Sequence, residues 1–308
     1  MKKILIASTA LVATAGVAAA EVSFGGFGRF GIIYNEDGGT TGNDSTRLEQ
    51  RFRLTATGTT ETDGGVKFEG RIRFQSDDNA AGAGGVANNS AAGFAVSSGG
   101  LRVDVGHVSD VLDSGDVVDY YGYGVGLTSW AEQSSGFALP ASGFGTGTAA
   151  VAPTVKARYS AGDLTVAASV STDASGTANE EYQLGASYAF GGYTAGIAFG
   201  NEDDGTVGGD VDFWAASLGG SVGDFDFSIL VADYDDGVTS TAYGVSVQYA
   251  ISSATQIRAV YNDNGAAVDE NTYAIGFQHS LGGGVSLRGG VGETGGGDAA
   301  DLGVVFNF

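Results

Sequence analysis

The residues of this chain best placed to do chemistry are arginines that recur at every second position. Arg51 and Arg53 alternate with apolar residues in one segment, and Arg71 and Arg73 do so in another. Successive side chains of a β-strand point to opposite faces, so this spacing predicts an ionic face and an apolar face. A row of fixed positive charge orients charged and dipolar solutes without breaking bonds. When the pattern runs the length of a chain, it indicates an apolar face against lipid and a charged face against water.

Residue types for catalysis are scarce. His107 and His279 are the only histidines, nothing in the sequence places them near a nucleophile, and the chain has no cysteine. An enzyme would need a clustered acid–base set. We therefore predict no catalytic residues and no enzymatic activity.

Acidic pairs in loops are the weak candidates for a metal site. Asp203 with Asp204, and Asp235 with Asp236, offer the carboxylate oxygens that Ca²⁺ prefers. Ordinary solvated loop charge is the alternative interpretation, and the one we favour. A structural calcium ion is the only cofactor that the sequence leaves open.

The first twenty residues have the order of an export signal. Lys2 and Lys3 precede an apolar run over 4–17, and three alanines at 18–20 offer a cleavage site. We predict that residues 1–20 are removed and that 21–308 form a single domain. Removal takes two of the 14 basic residues and none of the 36 acidic ones, so the net charge changes from −22 to −24. Such acidity excludes a nucleic-acid partner, which requires a basic surface.

The rest of the chain consists of alternating segments separated by turn residues. We count sixteen, from 22–34 to 300–308, and short turns rich in glycine or serine alternate with longer, often acidic connections. Fourteen or eighteen strands stay open, because 94–98 is short and 210–219 has an unclear phase. Only a closed barrel lets strands cross a membrane with all backbone groups bonded. The predicted fold class is all-β, a 16-stranded antiparallel transmembrane β-barrel.

Five short stretches carry a resemblance to a known family, namely Glu21-Val22, Ile33-Tyr34-Asn35, 161–169, 188–193 and 301–304. With these stretches the chain resembles the general diffusion porins of photosynthetic purple bacteria and other alphaproteobacteria. The resemblance covers residues 21–308 and lies in the order and spacing of these stretches. It implies a homotrimer in the outer membrane, in contact with lipid and lipopolysaccharide. It also implies a water-filled channel for passive diffusion of small hydrophilic solutes and ions.

The resemblance further assigns residues 107–153 to a constriction loop that folds into the channel. Its first half contains four aspartates: Asp110, Asp113, Asp116 and Asp119. The predicted pore-lining basic wall comprises Arg29, Arg47, Arg51, Arg53, Lys67, Arg71, Arg73 and Arg102. If the loop crosses the channel, its carboxylates face this wall. The resulting transverse field would order water and orient polar solutes at the narrowest point.

Other interpretations stay open at this point. The arginines could form ion pairs with Glu49 and Glu69 without a role in permeation, and the aspartates could belong to an ordinary solvated loop. For the whole chain, the alternatives are a substrate-selective outer-membrane channel and a soluble secreted β-adhesin. The excess of acidic residues favours mild cation selectivity.

Overall fold

A computed structural model describes eight parts of the chain, namely residues 20–36, 45–78, 84–141, 143–144, 153–172, 180–203, 209–268 and 271–308. Nearly all of the predicted signal peptide, residues 1–19, lies outside the described residues. Within these eight parts, no helix is long and apolar enough to cross a membrane.

Antiparallel strands make up almost all of the regular structure. In chain order they are β1 (Glu21–Asn35), β2 (Thr46–Glu61), β3 (Lys67–Asp77), β4 (Asn88–Asn89), β5 (Gly93–Ser98), β6 (Leu101–Gly106), β7 (Thr154–Ala161), β8 (Leu164–Thr172), β9 (Glu180–Phe190), β10 (Tyr193–Asp203), β11 (Asp210–Val222), β12 (Phe225–Tyr234), β13 (Ala242–Ala250), β14 (Thr255–Asp263), β15 (Asn271–Gly282), β16 (Val285–Thr294) and β17 (Gly297–Asn307). A four-residue helix, α1 (Val111–Ser114), lies between β6 and β7. Because β4 and β5 both pair with β3, they share one place in the wall. The barrel therefore has sixteen strands, as predicted.

The sheet closes because its first and last strands pair. Phe30 lies opposite Val304, and Ile33 lies opposite Asp301, in the antiparallel register of β1 and β17. Strands that follow one another in the chain are neighbours in the wall throughout. Closure removes the unpaired edges that an open sheet would present to lipid or to other chains.

Alternation along each strand sorts the side chains between two faces. On β1, Phe24, Phe30 and Ile32 are exposed on the outside, whereas Arg29 points to the other face and is mostly covered. Leu48 and Phe52 continue the outer apolar face on β2. Among the described residues, no second sheet or helix covers these side chains. The outer face is thus suited to contact with hydrocarbon.

For strand β11, the structure decides which side chains face inwards and which face outwards, a point that its sequence leaves unclear. Phe213 and Ala215 are buried towards the interior, and Leu218 is exposed on the outer face. Asp212 shares the outer face with Leu218 but lies near the start of the strand, where it accepts a hydrogen bond from Asn201 at 2.9 Å. A carboxylate is tolerated on this face because it sits at the polar end of the strand.

The buried apolar core lies inside the barrel. Val111, Leu112 and Val118 of the segment after β6 are almost fully buried, and they pack in one cluster with Ala198 and Leu230 of the wall. This apolar contact helps to hold the segment after β6 against the inner surface instead of leaving it in solvent.

Candidate functional site

The eight predicted basic residues all belong to β1, β2, β3 and β6, where they alternate with the outward apolar residues. Five of them are ion-paired. The pairs are Arg29–Glu49 (2.5 Å), Arg47–Asp78, Arg51–Asp77 (2.5 Å), Lys67–Glu69 (3.7 Å) and Arg102–Glu69 (2.7 Å). Ion pairing, the simpler interpretation of these residues, therefore does occur, and Glu49 and Glu69 are among the acceptors.

The other three basic residues form a group without carboxylate partners. Among the described residues, no carboxylate oxygen lies within 4.0 Å of Arg53, Arg71 or Arg73. Arg53 donates from Nε to the Gln75 side-chain oxygen at 2.5 Å, and Arg73 donates to the Phe144 carbonyl. Positive charge in this sector of the wall is therefore less compensated than in its neighbours.

These three arginines line a space of about 480 Å³, which we call the arginine pocket. Its members are Arg53, Arg71, Arg73, Ser109, Asp113, Gly143 and Phe144. The first three come from the barrel wall, and the other four come from the segment after β6. The pocket is therefore an arrangement between wall and loop, which neither could form alone.

Residues 107–141 run along the inside of the barrel, and the wall supplies polar side chains that bond to their backbone. Ser169 accepts from the Val111 amide at 3.2 Å, Ser217 from the Asp119 amide at 2.9 Å and Ser246 from the Tyr123 amide at 2.9 Å. Asp301 accepts from the Thr128 amide at 3.0 Å. Since these acceptors belong to β8, β11, β13 and β17, the segment crosses much of the inner circumference.

Glycines make room for this segment where its backbone touches the wall. A Cβ atom on Gly196 would overlap the carbonyl oxygen of Val117, and one on Gly244 would overlap that of Gln133. Inward glycines and serines on β8 to β17 are thus the sequence signal for a loop packed inside. The predicted inward loop rests instead on the resemblance, although these small residues are present in the sequence.

Of the four loop aspartates, Asp113 is the one that lines the arginine pocket. It also accepts a hydrogen bond from the Tyr121 hydroxyl at 2.7 Å. Asp110 is fully buried and caps α1 by accepting from the Asp113 amide at 2.7 Å, so its carboxylate does not face the lumen. Asp119 accepts from the Gly122 amide at 3.1 Å. Of the predicted row of four aspartates, Asp113 therefore lines the arginine pocket, and Asp116 lines a second space that it shares with Arg71 and Arg102 of the predicted wall.

Asp116 faces a different pair of basic residues, which the sequence analysis did not list for the lumen. It accepts from Lys156 at 2.7 Å and from Arg158 at 2.6 Å, both on β7. Burial by itself raises the pKa of Asp116, but the hydrogen bonds and charges of Lys156 and Arg158 outweigh burial and lower it overall. Lys156 and Arg158 alternate with apolar residues as the basic residues of β2 and β3 do, so the sequence already places them on the charged face.

Phe144, in the second half of the loop, packs directly on the basic wall. The guanidinium carbons of Arg71 and Arg73 each lie 4.3 Å from the centre of its ring, and His107 meets the ring edge-on at 5.2 Å. Stacking of a guanidinium on an aromatic face is favourable and leaves its in-plane N–H groups free. Residues 142 and 145–152 of the loop lie outside the described residues.

Glu132 is a partly buried acid of the loop that no sequence pattern singled out. Its backbone carbonyl accepts from Asn262 at 2.8 Å. Burial, and to a smaller extent the charge of Asp113, raise the pKa of Glu132 to about 7. This carboxyl group therefore titrates near neutral pH, unlike an exposed glutamate.

The calcium candidates do not come together as one site within the described structure. Asp203 ends β10, whereas Asp235 and Asp236 follow β12, and Asp204 lies outside the described residues. Asp236 accepts from the amides of Val238 and Thr239 at 2.8 and 2.7 Å, so its carboxylate closes its own turn. Calcium binding here stays a prediction.

A further acidic group, Glu49, Asp77 and Asp78, brings carboxylate oxygens within 4.8 Å of one another. Each of these acids already pairs with an arginine of the wall, namely Arg29, Arg51 and Arg47 respectively. Their charge is therefore compensated without a metal ion.

Comparison with known proteins gives consistent results over almost the whole chain. A family model described as Gram-negative porin matches residues 7–299. A porin of Fuscovulum blasticum is 31% identical over 304 residues, covering 94% of this chain and 100% of that protein. A porin of Rhodobacter capsulatus is 28% identical over 319 residues, with the same two coverages.

Comparison with solved structures also points to the porins. An engineered triple mutant of the Rhodopseudomonas blastica porin is 26% identical and superimposes with a TM-score of 0.78, covering 94% of this chain and 100% of that one. Similarity therefore extends from the strand order to the complete barrel.

Proposed function

Because this chain belongs to the Gram-negative porins and forms a channel in the bacterial outer membrane, we propose that it passes small hydrophilic solutes and ions by passive diffusion. The observation that carries this proposal is the charged inner wall, narrowed by residues 107–141 and enclosed by an apolar outer face. Water-filled lumens of this kind exclude solutes mainly by size and charge.

We infer that the arginine pocket sets the charge preference at the narrowing. Arg53, Arg71 and Arg73 lie on one side of the space and Asp113 on the other, so the field points from wall to loop. Such a field holds water in order and disfavours apolar solutes. The net charge of −24 after signal removal adds a general attraction for cations.

We infer that the channel has no catalytic role. The two histidines lie in separate parts of the structure. His107 packs on Phe144 inside the barrel, and His279 shares a hydrogen bond of 2.8 Å with the Thr255 hydroxyl on the neighbouring strand β14. Neither arrangement resembles a nucleophile with an oriented base.

We also propose a homotrimer embedded in lipid and lipopolysaccharide. The support is the likeness to porins over 94% of the chain, together with an outer face rich in exposed apolar side chains. Copies of the barrel can share part of this face while lipid covers the rest.

Passive diffusion is tested by swelling of liposomes that contain the refolded protein, using neutral sugars of increasing size. We expect the initial rate to rise in proportion to sugar concentration and to fall steeply with sugar size, because an unspecific pore acts as a sieve. Saturation with one sugar, and not with others of equal size, would contradict the proposal and favour the substrate-selective channel. Liposomes without protein provide the baseline.

A further inference from the structure

Arg53, Arg71 and Arg73 present more positive charge to one space than the protein neutralises. The other basic residues of β1, β2, β3, β6 and β7 have carboxylate partners, whereas these three have none within 4.0 Å among the described residues. We propose that the arginine pocket is a binding site for doubly charged oxyanions, namely phosphate and phosphate monoesters, during their passage. The inference rests on the proposed diffusion function and names a solute class that the channel retains.

The orientation of the guanidinium groups favours oxyanions over simple anions. Arg71 and Arg73 lie with their guanidinium carbons 4.3 Å from the centre of the Phe144 ring. This contact occupies a face of each group and leaves edge N–H donors for tetrahedral oxygens. Arginine forks match phosphate oxygens in pairs, which chloride cannot reproduce.

Protein acceptors use only part of the donor capacity in the pocket. Arg53 donates to Gln75 from Nε and Arg73 donates to the Phe144 carbonyl from one terminal nitrogen. Each guanidinium group carries five N–H donors. Several donors on three neighbouring groups are thus available to one ligand.

Asp113 narrows the class of ligand further. Its carboxylate lines the same space and can accept a hydrogen bond from a ligand hydroxyl. A phosphate monoester of a polyhydroxylated compound, or phosphate carrying one proton, offers both oxygens for the arginines and a hydroxyl for Asp113. The space of about 480 Å³ accommodates such a molecule together with water.

The lumen provides a matched control for loss of charge. Within the part of the chain that the structure describes, Arg258 and Arg288 also lack a carboxylate within 4.0 Å, but they do not line this pocket. Arg258 donates to Gln248 at 3.0 Å and to the Gly124 carbonyl at 3.2 Å, and Arg288 donates to Ser286 at 3.1 Å. Removing charge there changes the lumen without touching the proposed site.

The experiment measures single-channel current of the refolded full-length mature protein in dilute KCl, with inorganic phosphate added in increasing amounts. We expect phosphate to reduce the chloride-carried current along a saturating curve, with half-saturation in the millimolar range, on the order of 1 mM for a weak site. Arg71→Gln with Arg73→Gln should raise the half-saturating concentration about tenfold or more, since each substitution removes charge-assisted hydrogen bonds to phosphate. Arg258→Gln with Arg288→Gln should leave it within about twofold of the unaltered protein.

The outcomes separate this site from the channel itself. Current in KCl alone shows whether each variant folds and conducts, whatever phosphate does. If the pocket double variant fails to conduct, Arg53→Gln alone supplies the same comparison. A phosphate effect that grows linearly without saturation would overturn the site, as would equal loss of the effect in the pocket and control variants. Failure of diffusion would instead appear as absence of current and of sugar uptake.

Discussion

Residues of the lumen fall into two classes by how their charge is balanced. Arg29 and Arg51 each have a carboxylate at 2.5 Å, so they behave mainly as parts of a cross-linked wall. Arg53, Arg71 and Arg73 lack such partners and share their space with Asp113. Paired charges cancel at a distance, so the unpaired group dominates the field within the arginine pocket.

Asp113 is the loop acid that shares the arginine pocket with these arginines, so its charge strengthens the field from wall to loop. We expect Asp113→Asn to lower the preference of the channel for K⁺ over Cl⁻ by about twofold, because one negative charge at ~4 Å to 6 Å from a passing ion contributes a fraction of a kcal/mol in a wet pore. Reversal potentials across a KCl gradient measure the change. Asp163→Asn, in the turn between β7 and β8, is the control. An unaltered potential for Asp113→Asn would exclude the assignment.

We expect docking of the loop to depend on pH through Glu132. Its pKa of about 7 in the folded protein lies above the usual 4.5, so the folded state holds the proton more tightly. The protonated Glu132 therefore contributes fully to the free energy of loop docking below about pH 4.5. This contribution is lost as the pH rises from about 4.5 to about 7, and the docking free energy stays at its lower value above that. We expect Glu132→Gln to make the pH-dependent loss of docking free energy smaller by ~1–3 kcal/mol, because glutamine does not titrate.

Hydrogen exchange of the Tyr123 and Gln133 amides, corrected for the intrinsic pH dependence, measures this effect. Glu61→Gln, at the exposed end of β2, is the control and should keep the decline. If Glu132→Gln and Glu61→Gln show the same pH dependence as the unaltered protein, Glu132 is not the responsible group.

At the scale of elements, the position of the loop depends on small side chains of the wall. Ser217 and Ser246 accept from its amides, and Gly196 and Gly244 leave space for its carbonyls. Ser246 also donates to the Gln133 side-chain oxygen at 3.0 Å. Buried backbone groups need partners, so the wall and the loop must match residue by residue.

Gly244→Ala tests this match. The added methyl group would overlap the Gln133 carbonyl, so we expect the loop to leave the wall locally and the single-channel conductance to change by about twofold or more. Proteolysis within residues 107–141 should accelerate for the same reason. Gly58→Ala is the matched control, because its methyl group would meet nothing closer than 4.0 Å. Equal conductance of the two variants would show that the contact does not position the loop.

At the scale of the whole molecule, closure of the sheet separates the wall into an inner charged face and an outer apolar face. β1 pairs with β2 on one side and β17 on the other, so the backbone groups of the wall are shared around a ring. The apolar side chains then face outwards, and their only favourable surroundings are lipid or another copy.

The proposed trimer follows from that outer face and can be observed directly. We expect unheated protein in SDS to migrate as an oligomer about three times the mass of a single chain, since a closed barrel that buries apolar surface against two copies resists the detergent. Heating should convert it to the single chain. Analytical ultracentrifugation in mild detergent gives the same quantity independently, and a monomer in both assays would contradict the trimer.

The period-two pattern by itself determined much of this protein. Arg51, Arg53, Arg71 and Arg73 can be assigned to one face from spacing alone, because alternation is a local property of an extended backbone. The same local signal gave the sixteen strands, since each needs only its own residues and turns. Segment 94–98 is also a strand, although its alternating pattern is short. It pairs with β3, which precedes it in the chain.

Only the tertiary structure decided which charges meet. Asp110 and Asp113 are three residues apart in the sequence, yet one is a buried helix cap and the other lines the arginine pocket. Asp116 pairs with Lys156, forty positions away, rather than with the predicted wall. Such contacts depend on where the loop rests inside the barrel. That position is set by many small wall residues acting together, so no local pattern around an aspartate contains it.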